Sequence, residues 1–117
     1  MEIQIKSIQD AVVDLEFAGV LTASLDRDVA QEICEQLGAE QLGIWIVGNM
    51  QGVRMVDSSG VNQLLRLRRL VREAGGQLAL HSLQPAVGSI FEVLRLTALL
   101  NIAASREAAL DRIINSP

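Results

Sequence analysis

The sequence has one cysteine, one histidine, no tyrosine and only three aromatic residues in all, two Phe and one Trp. Each scarcity removes a class of function. Cys34 has no second cysteine to pair with, so an internal disulfide is impossible and a reducing compartment, the cytosol, is the expected address. One His and one Cys, His81 and Cys34, make neither a metal site nor a nucleophile–base pair. No metal or cofactor is expected, and no enzyme. No apolar run approaches the roughly 18 residues that cross a bilayer. The longest candidate, residues 94–104, is broken by Arg95, Thr97 and Asn101, so no direct membrane insertion is expected. The N-terminal Met1-Glu2-Ile3-Gln4-Ile5-Lys6 lacks the basic-then-apolar order of a secretory signal. Gly48-Asn49-Met50-Gln51-Gly52 has neither the lysine nor the spacing of a phosphate-binding loop.

What remains is apolar and aliphatic. The chain has 117 residues and is 50% hydrophobic, which suits one domain over residues 1–117 with one core. With 3% aromatics, that core must be built from Leu, Ile, Val and Ala, a composition for helices packed on a sheet. The net charge of -4 argues against general nucleic-acid binding. It is unevenly spread: residues 1–49 carry nine acids and two bases, residues 50–117 five acids and eight bases.

Hydrophobic period gives the element order. Ile3, Ile5 and Ile8 alternate with polar residues as a half-buried strand. Val13, Leu15 and Phe17 give a second strand over 11–20, antiparallel to the first across Gln9-Asp10. Val29, Ile33 and Leu37 recur every four residues, predicting an amphipathic helix over 26–37. Ser24 is its candidate N-cap, Asp26 and Asp28 favour the positive end of its dipole, and Gly38 stops it. Residues 42–47 read as a strand buried on both faces, followed by a loop over 48–52 and a short extended approach over 53–56. The helical period returns over 59–74 and ends at Gly75-Gly76. A strand over 77–81, a helix from Pro85 to about Leu94, a short strand over 100–103 and a last helix capped by Ser105, with Leu110, Ile113 and Ile114 inward, complete the chain. The expected fold is α/β, ββαβαβαβα: a mixed, mostly parallel sheet with an N-terminal antiparallel pair and about four helices.

Asp57-Ser58-Ser59-Gly60 falls between an extended segment and the most strongly patterned helix. Unpaired amides and the dipole at a helix N-terminus accept negative charge, and Gly60 leaves room for a partner to approach. By residue type alone the same tetrapeptide also reads as a plain cap. Asp57-Ser58-Ser59-Gly60-Val61 with Leu64-Leu65, then Gly75-Gly76-Gln77-Leu78 and Leu83-Gln84-Pro85-Ala86-Val87, resembles the STAS family, and within it bacterial anti-sigma factor antagonists. The likeness covers essentially the whole chain. It departs at Gly19-Val20-Leu21-Thr22, where the family often ends in an acid, and at Asn49, where many relatives carry Asp.

The resemblance implies partner switching. The unphosphorylated form would bind a serine kinase of the GHKL type that doubles as an anti-sigma factor, freeing that protein's client. Phosphorylation at Ser58 would end binding, and a PP2C-type phosphatase would restore it. Asp57, Ser59 and Gly60 would shape the site. Asn62, Gln63 and Arg66, on the first turns of the helix, would complete the docking surface of a monomer or weak dimer. The competing expectation is a STAS accessory subunit of a lipid or anion transport complex, binding an ATPase without phosphoregulation. A phosphoryl-carrier or nucleotide-handling enzyme would need a nucleophile–base pair that is absent.

Other residues read more plainly. Arg66, Arg68, Arg69 and Arg72 flank the apolar stripe as a solvated face or partner contact; without aromatics nearby they do not suggest nucleic acid. Cys34, beside an inner helical stripe with no cation near it, reads as a buried structural thiol. Trp45 reads as core and His81, at a strand end, as surface.

Overall fold

A computed structural model describes residues 2–22, 29–38 and 44–114. Five strands form one sheet in the order β1-β2-β3-β4-β5. β1 (Glu2–Gln9) and β2 (Val12–Leu21) are antiparallel. They turn through Asp10 and Ala11, both in the left-handed region at φ 54° and 64°. β3 (Trp45–Val56), β4 (Gln77–His81) and β5 (Ile102–Ala103) then add in parallel. The helices are α1 (Val29–Leu37), α2 (Ser58–Glu73), α3 (Pro85–Val93) and α4 (Arg106–Ile114). The order is the expected ββαβαβαβα, in a mixed, mostly parallel sheet.

The two faces of the sheet are unequal. On one, Val13, Leu15, Phe17, Ile46 and Met50 meet α1, α2 and α3, which contribute Ile33, Leu64, Leu67 and Phe91 among others. Among the described residues only α4 packs on the second face, where Ala109 and Ile113 rest on Val12, Val47 and Ala79. Both phenylalanines are fully buried. α2 buries Val61, Leu64, Leu67 and Val71 at helical spacing. Each such side chain contributes about 1.5–3 kcal/mol, against about 1 kcal/mol for a cap, so packing sets where α2 lies.

The main correction concerns β3. Residues 48–52 form no loop; the strand continues unbroken to Val56. Gly48 and Gly52 allow close packing here and do not break the strand. A Cβ on Gly48 would lie 2.6 Å from the Phe17 ring, and one on Gly52 2.9 Å from the Phe17 carbonyl oxygen. Register shifts after Glu16 and after Gly19 absorb the extra residues of β3.

Smaller differences follow from packing. β5 starts at Ile102, and Leu100 is buried in the turn before it. In α4 Ile113 is inward, Leu110 only half-buried and Ile114 exposed, because the helix has a single sheet face to cover. Ser105 caps α4 through the Ala108 N–H at 3.2 Å. Gly38, at φ 87°, ends α1. Trp45 and Cys34 are half-buried at the margins of the two apolar clusters, not fully within them. The expectations for Ser24, Asp26, Asp28 and the start of a strand at 42 lie outside the described residues.

Candidate functional site

β3 outruns its neighbour. Its last partner on β4 is His81, opposite Asn49, and from Gly52 to Val56 it pairs with the end of β2. The β3–α2 junction therefore projects at one end of the sheet. Asp57 is the N-cap of α2, in extended conformation, and its Oδ1 accepts the Gly60 N–H at 2.8 Å. Its own N–H donates to the Leu21 carbonyl at 3.2 Å, and its carbonyl accepts the Val61 N–H at 3.0 Å. Every hydrogen-bonding part of Asp57 except its second carboxylate oxygen is thus committed to holding the start of α2. It is the structural cap, and Ser58 is the first helical residue, one position earlier than the pattern predicted.

Ser58 is exposed and Ser59 half-buried. Gly60 is buried, and its missing side chain serves the interior: a Cβ there would overlap the Leu21 carbonyl group. Its expected role of clearing space for a partner is replaced by this close seat of helix on strand. Asn62 and Arg66 continue the exposed face of α2. Gln63 turns inward: its Oε1 accepts the Val29 N–H at 3.0 Å, and its Nε2 donates to the Thr22 carbonyl at 3.3 Å. Arg68 donates to the Leu99 carbonyl at 2.7 Å, and Arg69 lies 3.8 Å from Glu73. The arginines thus divide between tertiary contact and solvated face.

Beside Ser58 lies an apolar groove of about 360 Å³ between α2 and α3, lined by Val56, Val61, Ile90, Val93 and Leu94 together with Asp57, Ser58 and Ser89. Val93 is 81% exposed and Leu94 49%. The sequence carried a signal for it: Val93 and Leu94 are apolar residues left over once Val87 and Phe91 have filled the buried stripe of α3. Chemically, an anion on Ser58 Oγ would sit at the positive end of α2, where the dipole favours it. The same anion would also add charge to an otherwise apolar concavity.

A second, polar cleft of about 430 Å³ lies at the start of α4, lined among others by Lys6, Asp14, Glu16, Asn49, His81 and Arg106. Arg106 grips Asp14 through both guanidinium and carboxylate, at 2.5 and 2.9 Å. Ser7 donates to the same carboxylate at 3.1 Å. The Arg106 hydrogen bond holds Asp14 below its ordinary pKa against the opposing effect of burial. His81 is only 5% exposed, with Nδ1 2.9 Å from the Ser82 hydroxyl. Burial lowers its pKa, Asp14 opposes that, and Arg106 adds to it. The surface assignment of His81 is therefore corrected. Its parity with Gln77 and Ala79 puts it on the α4 side of the strand, which a parallel sheet also covers.

Among the described residues no group of three or more His, Cys, Asp or Glu is placed to hold a metal ion, and no helix is long and apolar enough to cross a membrane. Among the described residues, a five-stranded mixed sheet with three helices on one face and one on the other defines a small α/β module with a serine at the exposed head of α2. The STAS domain model matches residues 3–109, and the chain belongs to the STAS domain family. Solved structures agree in fold. The unphosphorylated form of the anti-sigma factor antagonist SpoIIAA has a TM-score of 0.68 at 21% identity, over 99% of both chains. The phosphorylated form of SpoIIAA, a Bacillus cell fate determinant, gives 0.62 at 23% identity over 96% of this chain and 99% of that one. The murine anion transporter Slc26a9 gives 0.67 at 20% identity, over 86% of this chain but only 17% of the transporter.

Proposed function

We propose that the protein is an anti-sigma factor antagonist acting as a partner-switching phosphoprotein and not as an enzyme. In its unmodified form it binds a GHKL-type serine kinase that also sequesters a client. The docking surface is the apolar groove with the exposed face of α2, Asn62 and Arg66 included. The kinase phosphorylates Ser58, the complex dissociates, and a PP2C-type phosphatase resets the switch.

One observation carries this reading: the exposed Ser58 lines the apolar groove at the first position of α2. A phosphate there brings about -1.5 to -2 charges at pH 7. The helix dipole offsets part of that within the domain. In a partner's desolvated interface the uncompensated dianion costs several kcal/mol, and each 1.4 kcal/mol is tenfold in affinity. Phosphorylation therefore acts on binding and spares the fold. Membership of the STAS family, and the existence of SpoIIAA in unphosphorylated and phosphorylated forms, support the same assignment.

A second reading is favoured by the likeness to Slc26a9: an accessory subunit of a membrane transport complex that binds an ATPase through the same groove without phosphate. The test is the intact and peptide mass of the protein taken from its own cells. One phosphate on Ser58 is expected. Phosphate on Ser59 alone would overturn the acceptor assignment, and no phosphate under any growth condition would favour the transport reading.

A further inference from the structure

Gln63 stands on the second turn of α2, just below the Ser58 end, and reaches two segments remote in sequence. Val29 is the first described residue of α1. Gln63 Oε1 accepts its amide N–H from another helix, at 3.0 Å. Its Nε2 donates at 3.3 Å to the carbonyl of Thr22, immediately after β2. The carbonyl before it, that of Leu21, receives the Asp57 N–H, and Gly60 is seated against it. The head of α2 is thus fastened to the end of β2 at three points, and Gln63 extends the hydrogen-bonded connection to α1.

We propose that Gln63 is a positioning residue that ties α1 at Val29 to α2 and couples that end of α1 to the chemical state of Ser58. This rests on the docking role proposed for that end of α2. An anion added to the first residue of α2 draws on the amides of the first turn. The second turn follows, and Gln63 transmits the adjustment to the Val29 amide. A partner seated on the head of α2 then meets the Thr22 end of β2 in a position set by whether Ser58 is modified, while Val29, buried beneath it, registers the same adjustment from inside.

The experiment uses the full chain and no partner. Amide exchange and resonance positions are followed by NMR in wild type, Gln63→Leu, Gln63→Glu and the distant surface control Glu73→Gln, each with and without Ser58→Asp. Gln63→Leu removes both bonds. The Val29 amide should exchange roughly five- to tenfold faster, as expected for one lost hydrogen bond, and Ser58→Asp should no longer move its resonance. Gln63→Glu keeps the acceptor, so Val29 should stay slow and still respond to Ser58→Asp, as should Glu73→Gln. Unchanged Val29 exchange in Gln63→Leu would overturn the proposal, as would an equal response to Ser58→Asp in that variant. Should Gln63→Leu fail to fold, a fast or unresponsive Val29 in Gln63→Glu overturns it equally. No readout involves a partner, so failure here leaves the docking reading standing, and failure of docking would not produce these results.

Discussion

Gly60 rests on the carbonyl group of Leu21 with no room for a β-carbon between them. The obstacle is backbone, which cannot rotate aside as a side chain does. Gly60→Ala should therefore cost about 3 kcal/mol or more, the upper end for overpacking. Gly75→Asn, at φ +93° with open space around it, meets no atom and bears only the backbone strain of that conformation, about 1 kcal/mol, so it should cost clearly less. Urea unfolding of both variants checks this. A Gly60→Ala protein as stable as wild type would show that α2 does not need this seat.

Asp57 caps α2 through the Gly60 amide. Asp57→Ala should lose about 1 kcal/mol and Asp57→Asn only a few tenths, because the amide oxygen still caps. Equal loss in both variants, read from denaturant midpoints, would mean that the charge and not the hydrogen bond matters.

The cleft around His81 makes stability depend on pH in two windows. His81 has a lowered pKa in the folded protein, so the unfolded chain takes up a proton that the folded one declines. The stabilisation is complete above the ordinary value of about 6.5 and is lost as pH falls from there through the lowered folded value. Asp14, also lowered, contributes stability that is intact above 3.8 and lost as pH falls through its folded value. By NMR titration, His81 should titrate below 6.5, lower still in Asp14→Asn, and higher in Arg106→Gln. A His81 midpoint at or above the ordinary value would contradict the buried, Arg106-facing placement.

Among the described residues Val93 is the most exposed large apolar side chain. Val93→Asp should leave stability within about 0.5 kcal/mol of wild type and abolish retention on an immobilised kinase partner. Retention equal to wild type would move the docking surface away from the groove.

Much of the fold could be read from the sequence because its strands and helices differ in period. The alternation of Val13, Leu15 and Phe17 and the stripe of Val61, Leu64, Leu67 and Val71 each point to one element and one buried face. The sequence pattern misleads where a residue's role depends on a neighbour distant in sequence. Gly48 and Gly52 look like turn residues until Phe17 is seen pressed against them. His81 reads as a strand end until α4 covers it. The Ser58 position was legible from the Asp-Ser-Ser-Gly order at a helix start. Gly60's seat and Gln63's inward reach were not, since each is created by contacts across the sheet's end, and of the groove only the surplus apolar pair Val93 and Leu94 showed.

In the proposed switch, charge at Ser58 governs binding without unsettling the domain. The most direct test is the affinity of the cognate serine kinase for wild type, Ser58→Ala and Ser58→Asp, measured by titration calorimetry on proteins of verified equal melting temperature. Ser58→Ala should bind within a few-fold of wild type, and Ser58→Asp at least about a hundredfold more weakly, the effect of some 2.7 kcal/mol. Equal affinity of all three would contradict it.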